Sequence, residues 1–485
     1  MSLLDSSLWS EKIFINGWTA GGAGASSVVE PATGATLGSV GVASVDDVRR
    51  AATLAAEAQR AWAATAPEER AAVLRRAGAL WEQHGDEIAG WIIREAGSVP
   101  VKAGLEIHIA ANECYEAAAL PSHPHGEVLT SNDPRWSFAR RRPAGVVSVI
   151  APFNFPLILS IRSVAPALAL GNAVLLKPDP RTAVCGGVAL VRIFEEAGLP
   201  AGLLQLLPGG AEIGQAVVEA PEVSVVSFTG STSAGRAVGE LAAKHLKRAH
   251  LELGGNNALL VLPGADIARA ASAGAFGSFL HQGQICMTTG RHFVHESQYD
   301  AYVEALAAKA AHLPVGDPAS GTVALGPLID AGQLARVQAI VDRAKDAGAR
   351  VAAGGTADGA FFSATVLADL TADNPAFTEE IFGPVAPVLA YSTLDEAIDL
   401  INANDYGLSV GILGDVGTAM EVADRVHSGK VHINEQTVSD EANAPFGGVK
   451  ASGTGSRFGG ATANIEAFTE VQWLTMRSEI APYPF

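Results

Sequence analysis

The sequence predicts an α/β protein with two parallel-sheet domains and a small β extension. Three observations lead there. Short β-rich runs alternate with helical stretches between about residues 145 and 253, the alternation resumes beyond Gly255, and two segments of strand periodicity stand outside both blocks. At roughly 150 residues per domain, 485 residues also leave room for about three units.

From the N-terminus, "SVDDVRRAATLAAEAQRAW" and the residues that follow it to Gly97 carry apolar side chains at helical spacing. Ser44 and its aspartates mark the start and Gly97 the end, so long amphipathic helices are expected here. Strands are expected at "GVVSVIA" (145–151), "NAVLLKP" (172–178), "LLQLLPG" (203–209) and "VSVVSFTG" (223–230). Between them, "AVCGGVALVRIFEEAG" and "SAGRAVGELAAKHL" read as helices. Strand, helix, strand at this rhythm gives a parallel sheet with helices on both faces. A second α/β domain then begins near Gly254, with "NALLVL" as a strand and "DIARAASAGAFGSFLHQG" as a helix, and runs to about Ala461. "RWSFARRRP" (135–143) and the tail "FTEVQWLTMRSEIAPYPF" alternate with period two. An exposed strand carrying Trp473 and Leu474 invites pairing, so these two segments are expected to pair and extend a sheet across a subunit boundary. The simpler alternative is that each caps its own domain.

Composition narrows the function classes. The net charge is −18, from 33 basic and 51 acidic residues, which disfavours nucleic acid and anionic membranes as partners. The apolar run "GVVSVIAPFNFPLILSI" is broken by Pro152, Asn154 and Pro156, and reads as a buried strand, a turn and a helix start rather than a membrane span. Three scattered cysteines, Cys114, Cys185 and Cys286, form neither a disulfide framework nor a metal site. With no signal-peptide pattern at the start, a cytoplasmic protein is expected.

Four stretches carry residues suited to chemistry. In "HQGQICMTTGR", Cys286 sits among polar residues and glycine. It is either a small buried hydrophobe or a nucleophile, which would need partial exposure and stabilisation as thiolate. In "LELGGNN", Glu252 stands between leucines; it is either a base with a raised pKa or a strand-end partner of a basic residue. In "APFNFP", Asn154 follows a strand, as a turn residue or as a neutral donor to an oxyanion. "FTGSTSAGRAVG" places Gly230 and Ser231 between a strand and a helix, where backbone N–H groups favour a pyrophosphate, and "LLKPDPRT" leaves Lys177 at a strand end.

In this order the motifs resemble those of the NAD(P)-dependent aldehyde dehydrogenase superfamily. The resemblance runs from "INGWT" (15–19) and "EPATG" (30–34) through "FTGSTSAG", "LELGGNN", "GQICMTTGR", "VGDP" (315–318), "EEIFGPV" (379–385) and "NDYGLSVGI" (404–412) to "PFGGVKASGTG" (445–455). "APFNFPLILSIRSVAPALALGN" and the ending "EIAPYPF" are most similar to bacterial benzaldehyde and vanillin dehydrogenases. The resemblance implies a Rossmann-like cofactor domain over residues 1–122 and 143–253, an α/β catalytic domain over 254–461, and an oligomerisation extension over 123–142 and 462–485, in a homodimer or homotetramer.

It also implies roles. Cys286 attacks the aldehyde to give a thiohemiacetal, Asn154 and the Cys286 N–H hold the oxyanion, hydride leaves for the nicotinamide of NAD or NADP, and Glu252 activates the water that hydrolyses the thioester. Cofactor contacts are expected from Pro152, Phe153, Lys177, Asp179, Pro180, Arg181, Gly230, Ser231, Leu253, Gly254, Glu380 and Phe382; no metal is expected. Relatives selective for NAD often carry glutamate three residues after the lysine; here that position is Pro180, followed by Arg181, so use of NADP as well as NAD is expected. The substrate wall is expected from Ile158, Leu159, Arg162, Leu280, Ile285, Met287 and Phe446, with Asn154, Ile158 and Arg162 on one helical face. Such a wall suits an aromatic aldehyde. Arg162 touches a ring substituent or serves as a buried ion-pair partner. Competing readings are a relative specific for aliphatic aldehydes or semialdehydes, one that releases its thioester to coenzyme A, an inactive structural relative, and a Cys-His hydrolase. Glu252 disfavours release to coenzyme A, the intact set of Cys286, Glu252 and Asn154 disfavours an inactive relative, and His281, five positions before Cys286 and on no shared helical face, disfavours a Cys-His hydrolase.

Overall fold

Ser44 opens the first long helix with a reciprocal cap: its hydroxyl accepts the Asp47 N–H at 3.2 Å, and the Asp47 carboxylate accepts the Ser44 N–H at 2.9 Å. In the computed structural model, which describes residues 2–485, the N-terminal amphipathic run is three helices, Val45–Ala64, Pro67–Gln83 and Gly85–Glu95. Pro67 starts the second because its missing N–H is free at a helix N-terminus in any case. Val48, Ala51, Ala52, Ala55 and Trp62 bury the inner stripe of the first helix, and the Trp62 indole donates to the Leu168 carbonyl at 2.7 Å.

Five strands form the parallel part of the first sheet, in the order Arg248–Glu252, Val223–Thr229, Val146–Ile150, Ala173–Lys177, Leu204–Leu206, and Lys12–Phe14 and Trp18–Ala20 add antiparallel at one edge. Ala173–Lys177 is buried along its whole length, as a strand covered on both faces must be. Strand order reverses between Val146–Ile150 and Val223–Thr229. A crevice therefore opens beyond their carboxyl ends, the place where parallel sheets bind ligands.

The second sheet also has seven strands, in the order Arg350–Ala353, Thr365–Ala368, Val385–Tyr391, Thr289–His295, Asn257–Val261, Ser409–Leu413, Lys430–Ile433. All its pairs are parallel except the first. A three-stranded sheet, Thr469–Met476, Trp136–Pro143, Gly126–Val128, takes the remaining β segments. The two-sheet α/β class is thus as the alternation predicts. Among the described residues, no helix is long and apolar enough to cross a membrane.

Three local expectations need correction. "AVCGGVALVRIFEEAG" begins as a π-helical turn, Val184–Val188, before the α-helix Ala189–Glu196. Gly186 packs on Pro156 so closely that a Cβ would stand 3.0 Å from its side chain, and the Glu95 carboxylate accepts the Val184 and Cys185 N–H groups at 2.9 and 2.7 Å. "DIARAASAGAFGSFLHQG" is α-helical only over Ile267–Phe279. His281, Gln282 and Gly283 then take left-handed φ values of 48°, 55° and 65°, held by the Gln282 amide donating to the Gly97 and Pro327 carbonyls. In the tail only Thr469–Met476 is a strand, and it pairs in register with Trp136–Pro143 inside the same chain. Val471, Trp473 and Met476 stay exposed on that strand, Trp473 by 65%.

Asn172 ties these parts together. Its carboxamide oxygen accepts the Gly145 N–H at 2.9 Å, and its nitrogen donates to the carbonyls of Ala167 at 2.9 Å and Phe468 at 3.0 Å, all buried or nearly so. The Asn172→Ala protein should lose about 2–4 kcal/mol of stability, the sum of the net worth of these bonds and the cost of orphaned partners. Chemical denaturation should show a lower midpoint; an unchanged midpoint would remove Asn172 as a structural tie.

Candidate active site

The candidate residues come together where the two large sheets face each other. Asn154 follows Val146–Ile150, Lys177 ends Ala173–Lys177, Ser231 follows Val223–Thr229 and Glu252 ends Arg248–Glu252, so four carboxyl ends of the first sheet supply them. From the second sheet the amino ends contribute: Gly254 precedes Asn257–Val261, Cys286 precedes Thr289–His295, and Glu380 and Phe382 precede Val385–Tyr391.

Two cavities meet here, and Asn154, Leu159 and Cys286 line both. The larger, about 330 Å³, has in its wall Pro152, Phe153, Lys177, Asp179, Arg181, Gly230, Ser231, Leu253, Gly254, Glu380 and Phe382. Pro180 does not reach it. Asp179 caps the short turn Pro180–Thr182, and Pro180 faces a neighbouring hollow beside Leu328 and Asp330. Arg181 is already committed to the carboxylates of Asp179 and Asp330, and its guanidinium lies 4.3 Å from the Phe153 ring centroid. Phe153 in turn meets Phe382 edge-on at 6.0 Å. Phe382 has φ +55° and is held by Gln333 donating to its carbonyl at 2.7 Å. Burial pushes Glu380 up to about 7 even though it accepts the Gly255 N–H at 3.0 Å. A Cβ on Gly254 would stand 2.2 Å from the Glu380 carboxylate, and one on Gly230 2.6 Å from the Phe228 ring, so these glycines make room for protein side chains first. Gln333 and Arg336 also line this cavity. They lie on the helix Ala331–Asp346, outside every motif, and no local signal in the sequence marks them.

A dinucleotide fits this wall on chemical grounds. Ser231 caps the helix Thr232–Lys244 at the switch point, with its hydroxyl accepting the Ala234 N–H at 3.3 Å, and that helix N-terminus favours a pyrophosphate. Lys177 offers a buried cation to ribose or phosphate oxygens, and Glu380 a half-buried carboxylate to ribose hydroxyls.

The smaller cavity, about 200 Å³, collects all seven residues expected in the substrate wall: Ile158, Leu159, Arg162, Leu280, Ile285, Met287 and Phe446. Asn154 lies in the loop before the helix Pro156–Ala169, so it shares the cavity but not the helical face. Arg162 is an ion-pair partner, donating through Nη2 to Asp440, and its guanidinium lies 4.4 Å from the Phe446 ring centroid. Its Nε and Nη1 are buried without a protein partner. Lys430 lies over the same ring at 4.5 Å and donates to the Ser439 carbonyl at 2.8 Å. Neither Lys430 nor Asp440 is marked by a motif; Asp440 lies just upstream of "PFGG", whose phenylalanine lies against Lys430 and Arg162.

Electrostatics corrects one expectation. Cys286 is half-buried, and burial pushes its thiol up to about 12 against the pull of Lys430 and Arg162. It is therefore not stabilised as a thiolate in the ligand-free protein. Glu252 is 2% exposed, lines neither cavity, and has the Gly448 backbone N–H beside its carboxyl but no close hydrogen bond. Burial pushes its carboxyl up to about 8, against Arg162, Arg457 and Lys430. Its negative charge also raises the Cys286 thiol, so the two groups feel each other. The Asn154 carboxamide oxygen is buried without a partner. Among the described residues no group of three or more metal-ligating side chains gathers. The arrangement can do nucleophilic chemistry at sulfur beside a neutral amide and a buried carboxyl.

Comparison with known proteins agrees. The profile of the aldehyde dehydrogenase family matches residues 18–474. Vanillin dehydrogenase of Amycolatopsis sp. is 64% identical, with all of both chains aligned. Benzaldehyde dehydrogenase [NAD(+)] of Pseudomonas putida is 47% identical over 99% of this chain and 98% of its own. Among solved structures, a salicylaldehyde dehydrogenase from Pseudomonas putida G7 complexed with salicylaldehyde superposes with a TM-score of 0.94 at 37% identity, covering 98% of this chain and 99% of that one.

A raised thiol pKa predicts slow alkylation. Since the thiolate is the reactive form, labelling of Cys286 by iodoacetamide in cofactor-free protein should be slow at pH 7 and climb through pH 9 without a plateau. Lys430→Met removes a cation that favours the thiolate, so labelling at pH 8 should fall on the order of fivefold. Mass spectrometry of the labelled peptide checks both, and a plateau below pH 8 would contradict the burial effect.

Proposed function

The chain belongs to the aldehyde dehydrogenase family, and from that premise we propose that it oxidises aromatic aldehydes of the benzaldehyde and vanillin type to carboxylic acids. As a member it is an NAD(P)-dependent oxidoreductase acting on the aldehyde group. The observation that carries the substrate reading is the smaller cavity. Its wall is mostly apolar, with Phe446 and Cys286 in it and Asn154, Arg162 and Asp440 among the polar exceptions, and at about 200 Å³ it has the size of one ring rather than a long chain. The two unpaired nitrogens of Arg162 add donors for an oxygen substituent on that ring.

The proposed roles follow from the chemistry of the side chains. Cys286 sulfur adds to the aldehyde carbon as its thiolate, the thiol proton having passed to solvent water, which leaves Glu252 free for the later hydrolysis. Because the thiol sits high, thiolate is a minority form and the attack must be drawn forward by stabilising the oxyanion. The Asn154 amide is a neutral donor aimed at that need, and Lys430 and Arg162 add positive potential. When bound, the nicotinamide of NAD or NADP supplies the hydride acceptor. Lys177, Ser231, Glu380 and Phe382 are the residues that would hold that cofactor. The thioester left on Cys286 is then open to water; with burial pushing Glu252 up to about 8, its ionised fraction, which grows as pH rises through 8, takes the water proton and returns a proton to the departing Cys286 sulfur. Use of NADP beside NAD is part of the proposal: position 180 is a proline, and the nearby Asp179 is neutralised by Arg181, so no free carboxylate repels a 2′-phosphate. An oligomer formed through the exposed face of Thr469–Met476 is also proposed.

Benzaldehyde and vanillin should outperform succinic semialdehyde and betaine aldehyde in kcat/KM, followed by reduced-nicotinamide absorbance; the reverse order would overturn the aromatic reading. Rates with NADP should stay within about a thousandfold of those with NAD, or roughly 4 kcal/mol. Cys286→Ala should lower turnover by more than about a thousandfold with cofactor affinity kept. Glu252→Gln should slow steady-state turnover roughly a hundredfold while a burst of reduced cofactor survives, and a lost burst would move Glu252 to an earlier step.

A further inference from the structure

Lys102 and Glu106 form a buried ion pair for which the reaction above has no use. They lie one turn apart on the helix Pro100–Ala119, 1% and 0% exposed. Desolvating two charges offsets most of their attraction, so such a pair is a weak source of stability. Its partners point to a different role. Lys102 Nζ donates to Glu106, to Ser98 Oγ at 3.0 Å and to the backbone carbonyl of Asn154 at 2.7 Å, and it lies 4.3 Å from the centroid of the Phe155 ring. The second Glu106 oxygen accepts the N–H groups of Leu157 at 3.0 Å and Ile158 at 3.3 Å.

Those two N–H groups open the helix Pro156–Ala169, whose own N-terminal residue, Phe155, has no capping side chain. Glu106 therefore satisfies orphan donors and sets a negative charge at the positive end of the helix dipole. Lys102 holds the residue just upstream. One ion pair thus grips the chain on both sides of the Asn154–Pro156 link. The Asn154 carboxamide oxygen has no partner that would fix its own rotamer, so the direction of its amide depends on how firmly its backbone is held.

We propose that the Lys102–Glu106 pair is a positioning device for Asn154, clamping its backbone so that the carboxamide donor faces the oxygen of the carbonyl attacked by Cys286. The proposal rests on the reading of Asn154 as oxyanion donor. Neither Lys102 nor Glu106 lines either cavity, so the pair acts only through the backbone it holds.

Two paired replacements separate the donor from the charge. Lys102→Met with Glu106→Gln keeps an acceptor for Leu157 and Ile158 but removes the donor to Asn154. Lys102→Gln with Glu106→Gln keeps an amide donor in the same place. Single-turnover formation of reduced cofactor should slow about thirtyfold in the Met/Gln protein, and return to within about threefold of the parent in the Gln/Gln protein. Binding of NAD, read by calorimetry, and labelling of Cys286 by iodoacetamide should be unchanged in both. Asn154→Ala should slow the same step about a hundredfold, and adding the Met/Gln replacements to it should slow it less than about twofold further, because a clamp has nothing left to aim. Equal rates in the Met/Gln and Gln/Gln proteins would overturn the clamp, and so would a full further loss in the Asn154→Ala background. If Met/Gln fails to fold, the Gln/Gln protein decides in both backgrounds: a loss that multiplies with Asn154→Ala overturns the proposal, and parent-like rates in each support a donor that needs no charge. An Asn154→Ala enzyme with undiminished hydride transfer would instead remove the oxyanion reading itself.

Discussion

Val146–Ile150 and Val223–Thr229 are hydrogen-bonded neighbours, yet the chain leaves them in opposite directions across the sheet. That reversal leaves a gap between the connections beyond their carboxyl ends. Asn154 stands on one lip and Ser231 on the other. The second sheet closes the gap from above with the amino ends of its strands, where helix and strand leave short loops free to carry Cys286, Glu380 and Phe382. The candidate reacting groups are therefore placed by the facing ends of two sheets and the short loops beside them.

Burial is the price of that arrangement. Cys286, Glu252, Lys430 and Glu380 all lie where burial disfavours charge, and each is pushed toward its neutral form. Arg162 is instead carried above its ordinary value, because the opposing carboxylates of Asp440, Glu113 and Glu252 outweigh the burial that pulls it down. Glu113, pushed up to about 8 by burial, completes the ring of groups around it. Cation and anion here are balanced across a few side chains contributed by both sheets and by the helix Pro100–Ala119. Replacing any one of them shifts its neighbours, so single substitutions in this ring should not be read as additive.

Much of this was legible in the sequence, for a physical reason. Strands buried on both faces read as continuous apolar runs, as in "NAVLLKP", and residues at their ends fall at predictable places, as with Lys177 and Glu252. The helical face through Ile158 and Arg162 was also visible from spacing. What stayed hidden depends on contacts between distant segments. Nothing near residue 281 announces three successive left-handed residues, because they are held by carbonyls at Gly97 and Pro327. Lys430 and Asp440 carry no motif and gain meaning only from contacts with other segments, Lys430 over the Phe446 ring and Asp440 paired with Arg162. The thiol's pKa depends on burial against apolar side chains from distant segments, Leu159 and Phe446 among them, which the residues around Cys286 in sequence do not show.

The same apolar surroundings have a bearing on durability. Hydrogen peroxide attacks thiolates and leaves protonated thiols largely alone, and the ladder from sulfenic to sulfonic acid starts at that first step. With burial raising its pKa, Cys286 waits between turnovers in its oxidation-resistant form, although it opens onto a cavity. Cys114 and Cys185 are buried and shifted the same way. A protein handling ring-bearing aldehydes can thus keep its one unburied cysteine intact without a second cysteine standing by to rescue it.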